Sequence, residues 1–253
     1  HPEKLRDEAF LRELTGFQPD LAVVAAYGRL LPEPLLALPP SGTINVHASL
    51  LPRWRGAAPV HRAVIAGETV TGVTIMRVVK ALDAGPTFAS VTRPIGPDDT
   101  SVEVETDLAR LGARLLVEVA DRIAAGTAVE TPQEEGLATY APKITREEGV
   151  IAWDQPAATI HDLVRGLQPW PLVSGRLGST RVLLRRTQVD PSARAAAAGR
   201  AARSADGDAI DIVCAVGTVL RVLRLQPEGR RVMSAREFLA GHALGPEARI
   251  ERG

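Results

Sequence analysis

Thr43-Ile44-Asn45-Val46-His47-Ala48-Ser49-Leu50-Leu51-Pro52-Arg53-Trp54-Arg55-Gly56 is the stretch around which the chain is organised. Its first five residues, β-branched at Thr43, Ile44 and Val46, predict a short strand, and period-two alternation puts Asn45 and His47 on one face at its exit. Pro52 and Gly56 then close a loop that carries Arg53, Trp54 and Arg55. An amide beside an imidazole suits carbonyl chemistry. The amide NH₂ can hold a carbonyl oxygen, and the imidazole can donate a proton or stabilise developing negative charge. An isolated Asn-x-His pair more often just satisfies loop backbone groups, so the surrounding sequence has to decide.

Upstream, Glu3 to Thr15 reads as an amphipathic helix with Leu5, Phe10, Leu11 and Leu14 as its stripe. The continuous apolar run Asp20 to Tyr27 fits a strand buried on both faces of a parallel sheet. The Tyr27–Pro32 loop leaves that strand at the edge where open α/β sheets bind ligands, although Leu30 and Leu31 also suit plain core packing. A short helix, Glu33–Ala37, and a Pro-Pro-Ser-Gly turn lead into the central strand. Downstream, Pro59–Ala66 reads as a helix and Thr71–Val79 as a strand running into Lys80–Pro86. If that strand is a parallel neighbour of the central one, Asp83 lies on the same sheet edge as Asn45 and His47. A carboxylate there could orient His47 or accept an amine proton through water. A lone loop Asp before Ala-Gly is otherwise a turn-maker. Thr87–Ile95 predicts a further strand, and Thr100 or Ser101 caps a long helix reaching about Ala125.

Asn45 to Gly56, continued by Ala57-Ala58-Pro59-Val60 and later by Leu82-Asp83-Ala84-Gly85, resembles the folate-dependent formyltransferases over essentially the whole chain. The resemblance implies a partial Rossmann-like parallel sheet domain (the formyltransferase fold) followed by a small OB-like β-barrel that helps dock tRNA. It implies 10-formyltetrahydrofolate as formyl donor and the amine of methionine on charged initiator tRNA as acceptor. It makes Asn45, His47 and Asp83 the catalytic set. Ser49, Leu50, Leu51 and Pro52, with Tyr27, Arg29, Leu31 and Leu82, would line the folate pocket. Arg53 and Arg55 are candidates for acceptor-stem phosphates, with ordinary loop salt bridges as the competing use. The resembled enzymes begin with strand–helix units carrying a glycine-rich loop, so about 60 residues or more of such units are expected ahead of His1, and the chain is expected to be a fragment.

The second half is built differently. Residues 127–149 turn polar and Pro/Glu-rich, which places residues 1–128 in a catalytic domain, 129–149 in a linker and 150–253 in the barrel. A short helix over Ala157–Leu167 precedes β-like runs at Leu172–Leu177, Arg181–Val189, Ala209–Val216 and Thr218–Gln226. Ala195–Asp208 between them reads as a mobile surface loop, and Ser234–Leu239 as a short helix. Residues 151–253 hold 15 Arg, no Lys and 10 acidic residues, a formal +5 that leaves −5 on the rest. That bias suits a polyanionic partner, though an Arg-rich composition alone would also produce it.

Composition narrows the alternatives. No apolar run is long enough to span a bilayer, no secretory signal pattern is present, and the lone Cys214 sits in an apolar run. A cytoplasmic, monomeric protein is expected. The five His residues lack metal-ligand spacing, and no phosphate loop or nucleophile elbow occurs, so neither metal nor covalent chemistry is expected. Rival readings are a formyltransferase acting on a sugar-nucleotide amine and an inactive tRNA-binding fragment.

Overall fold

A computed structural model describes residues 5, 7–192 and 194–253. The chain divides into two compact units. The first takes the described residues up to Val60, then Val70–Pro94 and Glu105–Lys143; the second takes His61–Thr69, Ile95–Val104 and Ile144–Gly253.

In the first unit α1 spans Glu8–Gly16, capped by Asp7, whose carboxylate accepts from the Ala9 and Phe10 N–H groups. The first residues of the expected helix, 3, 4 and 6, lie outside the described ones. None of the α1 residues is buried, so the expected stripe of Phe10, Leu11 and Leu14 does not seal a core. β1 (Ala22–Ala25) follows, then α2 (Glu33–Leu36), β2 (Thr43–His47), the two-residue β3 (Arg55–Gly56), α3 (Pro59–Ile65), β4 (Val70–Arg77), β5 (Thr87–Pro94), α4 (Ser101–Ala124) and β6 (Tyr140–Ala141), with α3 from His61 on and α4 up to Val104 counted in the second unit. β1, β2, β4 and β5 form one sheet in that order.

β1 and β2 are parallel, with Val24 opposite Asn45. β4, however, runs antiparallel to β2, Thr74 opposite His47 and Arg77 opposite Ile44, and β5 returns antiparallel to β4. The sheet is therefore parallel on one side only, and the parallel-neighbour route to Asp83 does not hold. Among the described residues β1 is at the end of the sheet, and its burial alternates: Val23 is 47 % exposed, where a strand buried on both faces was expected. Ile44, Val73, Ile75 and Met76 pack the sheet interior, with Leu108 and Val119 of α4 also buried. Gly112 lets α4 come close, since a Cβ there would lie 2.9 Å from Val46 Cγ1. The α4 start is a reciprocal cap: Thr100 N–H and hydroxyl donate to Glu103, and the Glu103 N–H donates to the Thr100 hydroxyl.

The stretch expected as a linker is structured and belongs to the first unit through Lys143. Thr131 exchanges backbone bonds with Thr87, and β6 pairs in parallel with β3.

In the second unit α5 (Ala157–Gly166) precedes β7 (Ser174–Leu177), β8 (Thr180–Asp190), β9 (Ala201–Arg203), β10 (Ile210–Val213), β11 (Val219–Pro227), β12 (Met233–Ser234), α6 (Ala235–Gly241) and β13 (Ile250–Arg252). Their sheet runs β13-β7-β8-β11-β10-β9, antiparallel throughout, with β12 on β11. It curls into the expected barrel: Ile250 N–H donates to Gly199 O at 2.8 Å and Ala201 N–H to Ala248 O at 2.9 Å. The segment read as a mobile loop thus supplies an edge strand, β9. Ile160, Val164 and Leu167 around α5 fill the core with Leu184, Ile210, Ile212, Leu220, Leu225 and Phe238. Cys214 is buried there, and desolvation pushes its thiol up to about 11.

Candidate active site

β2 delivers His47 to the sheet interior, 5 % exposed. Its Nε2 lies 3.0 Å from the Trp54 carbonyl oxygen, which can only accept, so Nε2 carries the proton in that contact. Nδ1 faces Asp83, 3.8 Å from Oδ2. The same carboxylate oxygen accepts the Gly56 N–H at 2.8 Å. The β4–β5 connection brings Asp83 to His47, with Asp83 itself at φ +47°. Asn45, two residues before His47 on β2, faces the same way and is partly buried.

The loop after β2 is tied to β4. Thr74 hydroxyl donates to Ser49 O at 2.7 Å and accepts the Leu51 N–H, while Ser49 Oγ donates to Arg53 O at 2.7 Å. Ser49 is fully buried and its hydroxyl is engaged inside the loop. Leu50 lies over Gly72 of β4. Leu51 and Pro52 are half-buried. Leu82, one residue before Asp83, is 48 % exposed. Tyr27 and Leu31 are half-buried and Arg29 is exposed. Neither Tyr27 nor Arg29 hydrogen-bonds the His47–Asp83 pair among the described residues.

The two arginines separate. Arg53 is exposed, its guanidinium 5.9 Å from the Trp54 ring centroid. Arg55 is 2 % exposed and committed: it donates to Gln133 Oε1 through Nε and Nη2, and to Glu135 through Nη1 and Nη2. The Glu135 hydrogen bond holds its guanidinium above the ordinary value, against the effect of burial. Of the two uses the sequence leaves open for Arg55, the internal contacts match the loop salt bridge. Among the described residues no group of His, Cys, Asp and Glu could hold a metal, and no helix is long and apolar enough to cross a membrane.

The "Formyl transferase" family model matches residues 1–120, and "Formyl transferase, C-terminal domain" matches residues 143–243. The methionyl-tRNA formyltransferase of Moorella thermoacetica is 44% identical over 247 residues, 97% of this chain and 78% of that protein. The chain belongs to the methionyl-tRNA formyltransferase family. Among solved structures, the methionyl-tRNA formyltransferase from Clostridium thermocellum superposes with a TM-score of 0.57 at 18% identity, covering 72% of this chain and 78% of that one. HypX from Aquifex aeolicus, solved in complex with tetrahydrofolic acid, gives a TM-score of 0.68 at 18% identity over 90% of this chain and 40% of that one.

What the sequence reading of this methionyl-tRNA formyltransferase relative missed lies behind the pair. Trp54 O, Gly56 N–H and Gln133 all bear on His47 or Asp83. Two are backbone groups, invisible to side-chain patterns. Gln133 lies between the two matched spans, in the run taken for a linker. Pro52 and Gly56, which close the loop, were the local signals of a turn there.

Proposed function

We propose that the chain transfers the formyl group of 10-formyltetrahydrofolate to the α-amine of methionine on charged initiator tRNA, for translation initiation, acting as a cytoplasmic monomer. The observation that carries this reading is the pairing of buried His47 with Asp83 across the β4–β5 connection, 3.8 Å apart, on a strand that also presents Asn45. The amine attacks the formyl carbon; a new C–N bond forms, the bond to N10 breaks, one proton leaves the amine and one reaches N10. Asn45 holds the formyl oxygen, and His47 stabilises the oxyanion and assists protonation of N10. Asp83 orients His47 and takes the amine proton through water. Since Nε2–H already donates to Trp54 O, the reacting oxygen competes with that carbonyl for the His47 proton. Leu51, Pro52 and Leu82, with Tyr27, Arg29 and Leu31, border the folate, and Ser49 and Leu50 hold the loop that does so. Arg53 contacts acceptor-stem phosphate.

The test incubates the purified chain with 10-formyltetrahydrofolate and either charged initiator tRNA or an amino-sugar nucleotide. Formylmethionyl-tRNA is expected, with His47→Ala and Asp83→Asn each slower by about 100- to 1000-fold. Formylation of the sugar nucleotide alone, or near-normal turnover by either variant, would overturn the reading.

A further inference from the structure

Asp83 holds a left-handed backbone, φ +47°, a region that Asp enters more readily than most side-chain-bearing residues but that the neighbouring groups here also hold in place. Those groups can be traced. Gln133 Nε2 donates to Asp83 O at 2.8 Å and to Gly85 O at 2.7 Å, clasping the two carbonyls either side of Ala84. At Gly85 a Cβ would collide with the Arg77 carbonyl, so the loop is pressed against β4 there.

The Gln133 amide has one possible orientation. Its NH₂ faces two carbonyl oxygens, which only accept, and its Oε1 faces two guanidinium N–H groups, which only donate, at 3.1 and 2.8 Å. A flip would break all four bonds at once. Arg55 is in turn fixed by the fork on Glu135. The backbone on either side of Arg55 touches both members of the pair, Trp54 O on His47 and Gly56 N–H on Asp83. A single buried side chain thus anchors the strand that holds the pair and, through Gln133, the loop that presents Asp83.

We infer that Gln133, oriented by Arg55, is a positioning residue for formyl transfer, setting Asp83 against His47 without touching substrate. The inference rests on the roles proposed above for His47 and Asp83.

Gln133→Glu is the informative variant: it keeps length and an acceptor for Arg55 but loses both N–H donors. Turnover should fall about ten- to hundredfold, as misplacement by an ångström does, while KM for folate and tRNA stays within about twofold. In an Asp83→Asn background, followed in single turnovers over hours, the same change should cost less than about twofold, because its effect runs through Asp83. Unchanged kcat in the single variant, or equal losses in both backgrounds, would overturn the inference. Should Gln133→Glu lose its folded circular dichroism signal, Arg55→Lys enters the same cycle; it keeps the charge opposite Glu135 but cannot fork onto Gln133. Absence of turnover in the unsubstituted chain would strike the functional reading and this inference together. Wild-type turnover with additive losses would strike the inference alone.

Discussion

The Gly56 N–H donates to Oδ2 of Asp83 at 2.8 Å, so a residue of the loop after β2 holds the carboxylate that faces the histidine of β2. The contact depends on Gly56 having no side chain. Its φ is +116°, and a Cβ would lie 2.8 Å from the Ala141 carbonyl oxygen of β6. Gly56→Ala is expected to cost about 1–3 kcal/mol through the imposed backbone alone, read as a lower midpoint in thermal unfolding. Because the N–H moves away from Asp83, kcat should fall further than stability predicts. An alanine variant with unchanged turnover per folded molecule would show that this bond does not position the carboxylate.

Arg53 and Arg55, two residues apart, should fail in different ways. Arg53→Ala is expected to weaken tRNA binding and flatten its salt dependence by about one unit of log–log slope. Arg55→Ala strips Gln133 Oε1 of its donors and should destabilise the fold by about 1–3 kcal/mol. Salt titrations of tRNA binding and denaturant midpoints on both variants check this. Equal salt slopes for Arg53→Ala and wild type would remove Arg53 from the tRNA surface.

In α6, Glu237 closes a capping box with Ser234 and pairs with Arg231. The Ser234 N–H, the Arg231 guanidinium and the Ser234 hydroxyl bring its carboxyl from 4.5 to about 2. A depressed folded-state value stabilises above the unfolded value, so the contribution is complete above pH 4.5 and is lost as pH falls toward 2. Glu237→Gln should unfold at lower denaturant at neutral pH and converge with wild type near pH 2. Parallel acid limbs for the two proteins would count against the cap.

Cys214 offers a simple probe of barrel integrity. With its thiol buried and raised to about 11, the native protein should not react with a thiol reagent at pH 8, and should react stoichiometrically once unfolded. Rapid labelling of the native protein would mean that the barrel opens locally.

Elements with a strong period or a cap were readable from sequence: β2 by its alternation, α4 by its cap at Thr100 or Ser101, β8 as a β-like run. The direction of β4 was not, because a strand pattern reads the same either way along a sheet; the juxtaposition of His47 and Asp83 was right, but its route was not. β9 and β13, three residues each, are too short to carry a period. For Arg55 the sequence leaves phosphate contact and a loop salt bridge both open, because nothing local to it announces partners at Gln133 and Glu135. Gln133 looked like one more polar residue in a Pro/Glu-rich run, since what distinguishes it is the loop it faces, about 50 positions away in sequence.

The clasp between Gly199–Ala201 and Ala248–Ile250 joins segments about 50 residues apart, and β13 pairs with β7 at a still greater separation. Contacts this distant along the chain form slowly, because a large loop must close before they contribute. Until they form, β7 and β9 each present an open row of amides and carbonyls to any neighbouring molecule. Crowded refolding should therefore favour association between incompletely closed rings over completion of each one.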